Sequence, residues 1–149
     1  LRKTIFISIG KLPPVKKVLF LCIENACRSI IAEAYFNSKL VEGWKAHSAG
    51  IKPAKEIDSN VIEVLREIGV EVKKDAPTLI SQEIAKNAVI SITMGCMEDE
   101  CPAALTPYRE DWDLEDPKGG SIEKFRKVRD EIISRVDKLV EDIKNGRFY

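Results

Sequence analysis

The sequence predicts an α/β domain built on a parallel sheet covered on both faces. Two of its strand candidates, Val18–Leu21 and Ala88–Thr93, are near-continuous apolar runs, which suits strands that have no solvent face. Stretches with helical spacing separate the strand candidates, and this alternation is how parallel strands are joined through crossovers. Each of the two apolar runs leads into a cysteine, Cys22 and Cys96. In an open parallel sheet ligands sit beyond the carboxyl ends of the strands, where both thiols fall.

Taken in order, residues 1 to 14 end in Leu12-Pro13-Pro14, and a double proline favours an extended spacer, so this stretch reads as an N-terminal extension. Within it Ile5-Phe-Ile-Ser-Ile9 is a candidate edge strand, and residues 15 to 149 form a single domain. After the strand Val18–Leu21, residues Ala32, Tyr35, Phe36 and Leu40 fall at helical spacing following Arg28. Lys45–Ala49 is a short strand ending at Gly50. Asp58 is a candidate N-cap for a helix whose apolar face is Val61, Ile62, Leu65 and Ile68 and which stops at Gly69. Ser81 can cap a short helix before the strand Ala88–Thr93. The last helix is the clearest, because Ile122, Phe125, Val128, Ile132, Val136, Leu139 and Ile143 step by three or four and Gly146 closes it.

At 149 residues the chain can bury roughly 70% of the surface its unfolded form exposes, so it needs no disulfide frame to fold. Twenty-four basic and twenty-four acidic side chains cancel, which excludes a global field for nucleic acid or anionic membranes. Apolar runs stay far short of the roughly 20 residues that span a bilayer, and the N-terminus has no long apolar signal core, so a cytoplasmic protein is expected. In a reducing compartment the four cysteines, Cys22, Cys27, Cys96 and Cys101, suit catalysis, redox chemistry or metal binding.

The stretch Val18-Leu-Phe-Leu-Cys-Ile-Glu-Asn-Ala-Cys-Arg-Ser29 joins the first strand to a helix starting near Arg28. The loop Cys22–Cys27 then aims backbone N–H groups inward at a helix N-terminus, which is an oxyanion cradle. Arg28 adds a planar fork suited to a tetrahedral oxyanion, and the same positive potential favours a thiolate at Cys22. A cysteine and an arginine with five residues between them form a common pattern, but between an apolar strand and a helix they make a nucleophile and its anion clamp.

Here Cys22-Ile23-Glu24-Asn25-Ala26-Cys27-Arg28-Ser29 resembles the phosphate-binding loop of the low-molecular-weight protein tyrosine phosphatase superfamily, and Ser48-Ala-Gly50 on the second strand extends the match. The resemblance implies a three-layer sandwich with a central four-stranded parallel sheet. It also implies that Asn25 takes an unusual backbone conformation, that Ser29 donates to the Cys22 thiolate and that Ser48 braces Asn25. Glu24 departs from the pattern, since better-known members carry glycine there, and its side chain is expected to turn to solvent.

The segment Thr93-Met-Gly-Cys-Met-Glu-Asp-Glu-Cys-Pro102 and the region from Asp116-Pro117 to Arg129-Asp130 resemble the thioredoxin-coupled arsenate reductases on the same fold, over nearly all of residues 17 to 145. The implied mechanism binds arsenate, a phosphate-like oxyanion. Cys22 attacks the arsenic, Arg28 holds the oxyanion, Asp116 protonates the departing oxygen, and Cys96 then Cys101 carry the disulfide outward to thioredoxin or a similar dithiol. No bound cofactor or metal is implied, and a monomer is expected. Five residues of continuous helix separate Cα atoms by roughly 8.6 Å, against about 4.4–6.8 Å in a disulfide, so the stretch from Cys96 to Cys101 must be non-helical or unwind on oxidation. Cys27 is read as a bystander, the alternative being a protective disulfide with Cys22.

Two rivals remain. A tyrosine phosphatase needs only Cys22, Arg28 and Asp116, but its relatives follow the acid with aromatic residues, whereas Asp116-Pro117 precedes Lys118-Gly119-Gly120. A zinc-binding or redox-sensing domain would use all four thiols and leave Arg28 and Ser29 without a role. His47 reads as a strand-end side chain, Trp44 and Trp112 as edge packing with Trp112 near the entrance, and Lys73-Lys74-Asp75 as a solvated turn. Asp111, Asp113 and Glu115 read as a solvated acidic loop.

Overall fold

The computed structural model describes residues 14–95 and 106–148; the candidate strand Ile5–Ile9, Cys96 and Cys101 lie outside them. Four parallel strands form the sheet: β1 (Lys16–Cys22), β2 (Trp44–Gly50), β3 (Ile90–Thr93) and β4 (Tyr108–Asp111), in the order β2-β1-β3-β4. Between and after them run helices α1 (Arg28–Ser38), α2 (Ser59–Arg66), α3 (Gln82–Lys86) and α4 (Ile122–Lys144).

Strand β1 is buried on both faces, as its unbroken apolar run requires. Val18, Phe20 and Cys22 face the main core with the buried sides of α1, α2 and α4. Leu19 and Leu21 face a thinner layer with Ala49, Ala85 and Ala88, covered by Ile80 and Ile84. The two sets alternate because successive side chains of a strand point to opposite faces. The result is the three-layer α/β sandwich the sequence predicts. The chain leaves β1 for β2 on one side and returns to β3 on the other. The loop after β1 therefore opens at the point where strand order reverses, the place where such sheets hold ligands.

Several elements differ from the sequence-based expectation. The fourth strand, Tyr-Arg-Glu-Asp, is exposed along its whole length. It shows no apolar period because it is a polar edge, a common protection against edge-to-edge pairing. Helix α1 ends at Ser38 as the chain turns toward β2, so Leu40 is 86% exposed with φ +50°, and Val41 takes the buried position. On α2 the buried face is Val61, Val64 and Leu65. Ile62 lies to its side, Ile68 falls beyond the helix end, and Val70 folds back into the core with its N–H on the Leu65 carbonyl. Trp112 is a core residue instead of an entrance, its ring centroid 5.8 Å from that of Phe20 and tilted by 48°, with its indole N–H on Glu110.

Candidate active site

The loop between β1 and α1 is turned so that its carbonyls point away from the pocket. The Ile23 carbonyl accepts from the Lys52 N–H at 2.9 Å, that of Glu24 from the Ala54 N–H at 2.9 Å, and that of Ala26 from the Asp58 N–H at 3.2 Å. With these acceptors satisfied outside, the amide donors are left to the inner side, which is what a tetrahedral anion requires. Gly50 makes this approach possible, because a Cβ there would stand 2.6 Å from the Ile23 oxygen and 2.8 Å from the Asn25 nitrogen.

Asn25 has φ +51°, the left-handed conformation that asparagine tolerates better than most residues. Its amide links two otherwise distant groups. The Thr78 N–H donates to Asn25 Oδ1 at 2.8 Å, and Asn25 Nδ2 donates to Ser29 Oγ at 2.8 Å. Ser29, having accepted one proton, is free to donate its own to Cys22 Sγ, 2.8 Å away. All three side chains are buried. The unusual conformation of Asn25 and the Ser29–Cys22 bond agree with the sequence-based expectation.

The expected Ser48–Asn25 brace is absent. Ser48 Oγ donates to Glu33 at 2.7 Å, and both its oxygens accept from the Lys74 ammonium, at 2.7 and 3.1 Å. Lys74 therefore sits in a largely buried network and is no solvated turn. Burial lowers its pKa against the pull of Glu33, and burial raises that of Glu33 against the pull of Lys74. Ser48 and Lys74, with His47 and Thr78, line a separate cleft of about 160 Å³ behind the loop. Burial and the nearby Lys17, Lys45 and Lys74 lower the pKa of His47.

Arg28 opens α1 and is itself buried. Its Nη1 donates to the Leu114 carbonyl at 3.1 Å, its Nη2 lies 3.6 Å from Asp116 Oδ2, and its buried Nε has no partner among the described residues. A buried guanidinium N–H left unpaired is costly unless something occupies the site. Helices α2, α3 and α4 are capped by Asp58, Ser81 and Ser121, whereas Cys27 at the head of α1 makes no side-chain cap. Cys27 at that uncapped end and Arg28 line one pocket together with Cys22, Ile23, Glu24, Ala26 and Asp116. Gly95, at φ +84°, backs the guanidinium so closely that a Cβ would meet Nη1 at 2.9 Å.

Asp116 is held by its own turn, with Oδ1 accepting the Lys118 N–H at 3.1 Å. Glu24 turns to the exposed rim, and there its carboxylate takes the Lys118 ammonium on both oxygens, at 2.5 and 2.6 Å. Cys27 gives its thiol proton to Asp58 at 3.8 Å. Burial first, then the charges of Asp58, Asp116 and Cys22, push its pKa far above the usual thiol range, so it stays protonated and unreactive at neutral pH.

The structure thus brings together Cys22, Ile23, Glu24, Asn25, Ala26, Cys27, Arg28, Ser29 and Asp116, and it sets Ser48 one layer behind. Thr78, Leu114 and Lys118 were not legible as site residues, since two act through backbone atoms and the third through an ion pair between distant segments. Among the described residues no group of His, Cys, Asp or Glu could hold a metal, and no helix is long and apolar enough to cross a membrane.

A cysteine and an arginine framing a loop at the switch point of a parallel sheet define the class, an α/β protein of the cysteine-dependent phosphatase type. A model of the low molecular weight phosphotyrosine protein phosphatase family matches residues 17–147, and the chain belongs to that family. It is 35% identical over 136 residues to the arsenate reductase of Bacillus subtilis, covering 85% of this chain and 96% of the relative. Among solved structures, the thioredoxin-dependent arsenate reductase of Corynebacterium glutamicum superposes with a TM-score of 0.77 at 30% identity, over 97% of this chain and 70% of that one. An arginine phosphatase from Geobacillus stearothermophilus superposes at 0.78 with 27% identity, over 89% and 95%.

Proposed function

We propose that this chain reduces arsenate to arsenite through a relay of three cysteines, with a thioredoxin-like dithiol as the electron donor. The observation that supports the oxyanion chemistry is the buried Arg28 guanidinium, with an Nε that has no partner among the described residues, lining one pocket with Cys22. The reductase branch rests on the named relatives and on the Cys96–Cys101 pair, which a phosphatase does not need.

Arsenate binds with its oxygens on the inward amide groups and on Arg28. The Cys22 thiolate attacks arsenic, and an As–O bond breaks as Asp116 supplies the proton that lets the oxygen leave as water. Cys96 then attacks the Cys22 sulfur. The electron pair of the S–As bond stays on arsenic, which leaves as arsenite, and a Cys22–Cys96 disulfide remains. Cys101 attacks Cys96 and frees Cys22, and the external dithiol reduces the Cys96–Cys101 disulfide. Gly95 against the Arg28 guanidinium supports this order, since Cys96 is the next residue in the chain. The dithiol donor suits a reducing cytoplasm.

The test is arsenate turnover coupled to thioredoxin and its reductase. Turnover is abolished in Cys22→Ser and Cys96→Ser, falls severely in Cys101→Ser and persists in Cys27→Ser. Unchanged turnover in both Cys96→Ser and Cys101→Ser refutes the relay. A second reading, phosphoester hydrolysis, is favoured by the sufficiency of Cys22, Arg28 and Asp116 for that reaction and by the match to the phosphotyrosine protein phosphatase family. It predicts aryl phosphate hydrolysis that needs Cys22 but neither Cys96 nor Cys101.

A further inference from the structure

Two segments 94 residues apart meet at the rim of the Cys22 pocket. Glu24 belongs to the loop, its backbone fixed by the Ala54 N–H on its carbonyl. Lys118 belongs to the turn that carries Asp116, closed by the Lys118 N–H on Asp116 Oδ1 and by the Gly120 N–H on the Pro117 carbonyl. The Lys118 ammonium bridges both carboxylate oxygens of Glu24, at 2.5 and 2.6 Å, and thereby ties the wall bearing the loop to the wall bearing the acid. Half of Lys118 and a third of Glu24 are exposed, so the tie lies at the mouth and not inside the pocket.

We propose that Glu24 and Lys118 form a strap over the pocket that selects free inorganic oxyanions against organic phosphomonoesters. The inference rests on the oxyanion-site reading above and adds its specificity. In-line attack by Cys22 places the leaving oxygen opposite the sulfur, on the Asp116 side. For an inorganic oxyanion that oxygen carries at most a proton and fits beneath the strap. In a monoester it carries the organic group, which among the described residues meets the gap between the loop and the Asp116 turn that the ion pair bridges. The ester binds only when the pair opens. Lys118 also neutralises Glu24, which removes the repulsion a lone carboxylate would exert on an entering dianion.

Equilibrium binding tests this without any turnover, in the full chain carrying Cys22→Ser. Calorimetry gives the Kd of orthophosphate and of phenyl phosphate for the strapped protein and for Glu24→Ala, Lys118→Ala and the double variant. A change of charge alone moves the two dianions together: both tighten in Glu24→Ala and both weaken in Lys118→Ala. The strap predicts in addition that the ratio of the phenyl phosphate Kd to the orthophosphate Kd falls in all three variants by about two- to five-fold, the range set by the strength of an exposed ion pair. The ratio for the strapped protein falls in the same direction when salt is raised, and that of the double variant does not. Parallel shifts with an unchanged ratio in the double variant overturn the strap and leave the oxyanion site standing. Failure of the strapped protein to bind orthophosphate overturns both, whereas loss of arsenate turnover alone bears only on the cysteine relay.

Discussion

Substituting Gly50 by alanine tests whether the loop geometry depends on its support by β2. The new Cβ would stand 2.6 Å from the Ile23 carbonyl oxygen, 2.8 Å from the Asn25 nitrogen and 3.0 Å from the Glu24 carbonyl carbon. All three are backbone atoms, so no side chain can swing aside, and the loop must retreat by about 0.8 Å to reach an ordinary contact. Overpacking of this kind costs about 1–3 kcal/mol, which in a domain of this size lowers Tm by about 2–12 °C. The displaced atoms carry the amide groups aimed at the anion, and hydrogen bonds to a charged group are worth about 1.5–3 kcal/mol each. Misaligning one or two of them weakens orthophosphate binding by about 10- to 100-fold, read by calorimetry beside a thermal melt. Gly43→Ala is the control. At φ +78° with nothing within 4 Å, it strains the backbone by about 1–2 kcal/mol but touches no part of the pocket. Wild-type phosphate affinity in Gly50→Ala, or an equal loss in Gly43→Ala, refutes the idea that contact between β2 and the loop sets the cradle.

Two other outcomes follow from the polar network behind the loop. Asn25→Ala strains φ +51° and leaves the Thr78 N–H and the buried Ser29 hydroxyl short of a partner, so stability falls by about 2–4 kcal/mol in urea unfolding; a loss under 0.5 kcal/mol contradicts the chain of bonds. Glu33 and Glu67 predict opposite pH dependences of stability. Burial raises the Glu33 pKa above the usual 4.5, so its contribution is fully present below that pH and is lost as pH rises through the raised value. The hydrogen bond from Arg126, with Arg129 assisting, lowers that of Glu67, whose contribution is present above 4.5 and lost as pH falls through the lowered value. Unfolding of Glu33→Gln and Glu67→Gln between pH 3 and 7, each compared with wild type, gives differences that run in opposite directions with pH; slopes of one sign contradict the burial of Glu33.

Hydrophobic pattern made most of the fold legible. Strand β1 and helix α4 carry their burial in their periodicity, because tight packing on two faces or along one stripe demands it. Strand β4 has no such demand. Its four residues are held by backbone pairing to β3 and face solvent, so nothing in Tyr-Arg-Glu-Asp marks a strand. Lys74 differs from its expected solvated turn for a related reason. A lysine among charged neighbours looks solvated in a sequence, and only the fold brings Glu33 and Ser48 to its ammonium.

The site divides along the same line. Cysteine, arginine and serine lie within eight consecutive residues, because a loop between a strand and a helix must supply the nucleophile, the amide groups and the helix end from one short stretch. What holds that loop comes from elsewhere in the chain: Gly50 gives it room, Lys52, Ala54 and Asp58 turn its carbonyls outward, and Thr78 orients Asn25. Most of these contacts use backbone atoms, which every residue carries, so side-chain identity betrays few of them. The pocket side of the same loop is different, because there side chains must supply charge and shape. Glu24 shows this: in sequence it is only a departure from the pattern, a carboxylate expected to turn to solvent. Its partner two residues beyond Asp116 makes it instead a tie between nucleophile loop and acid turn, and substrate selection then depends on a contact between the loop and a turn 94 residues away.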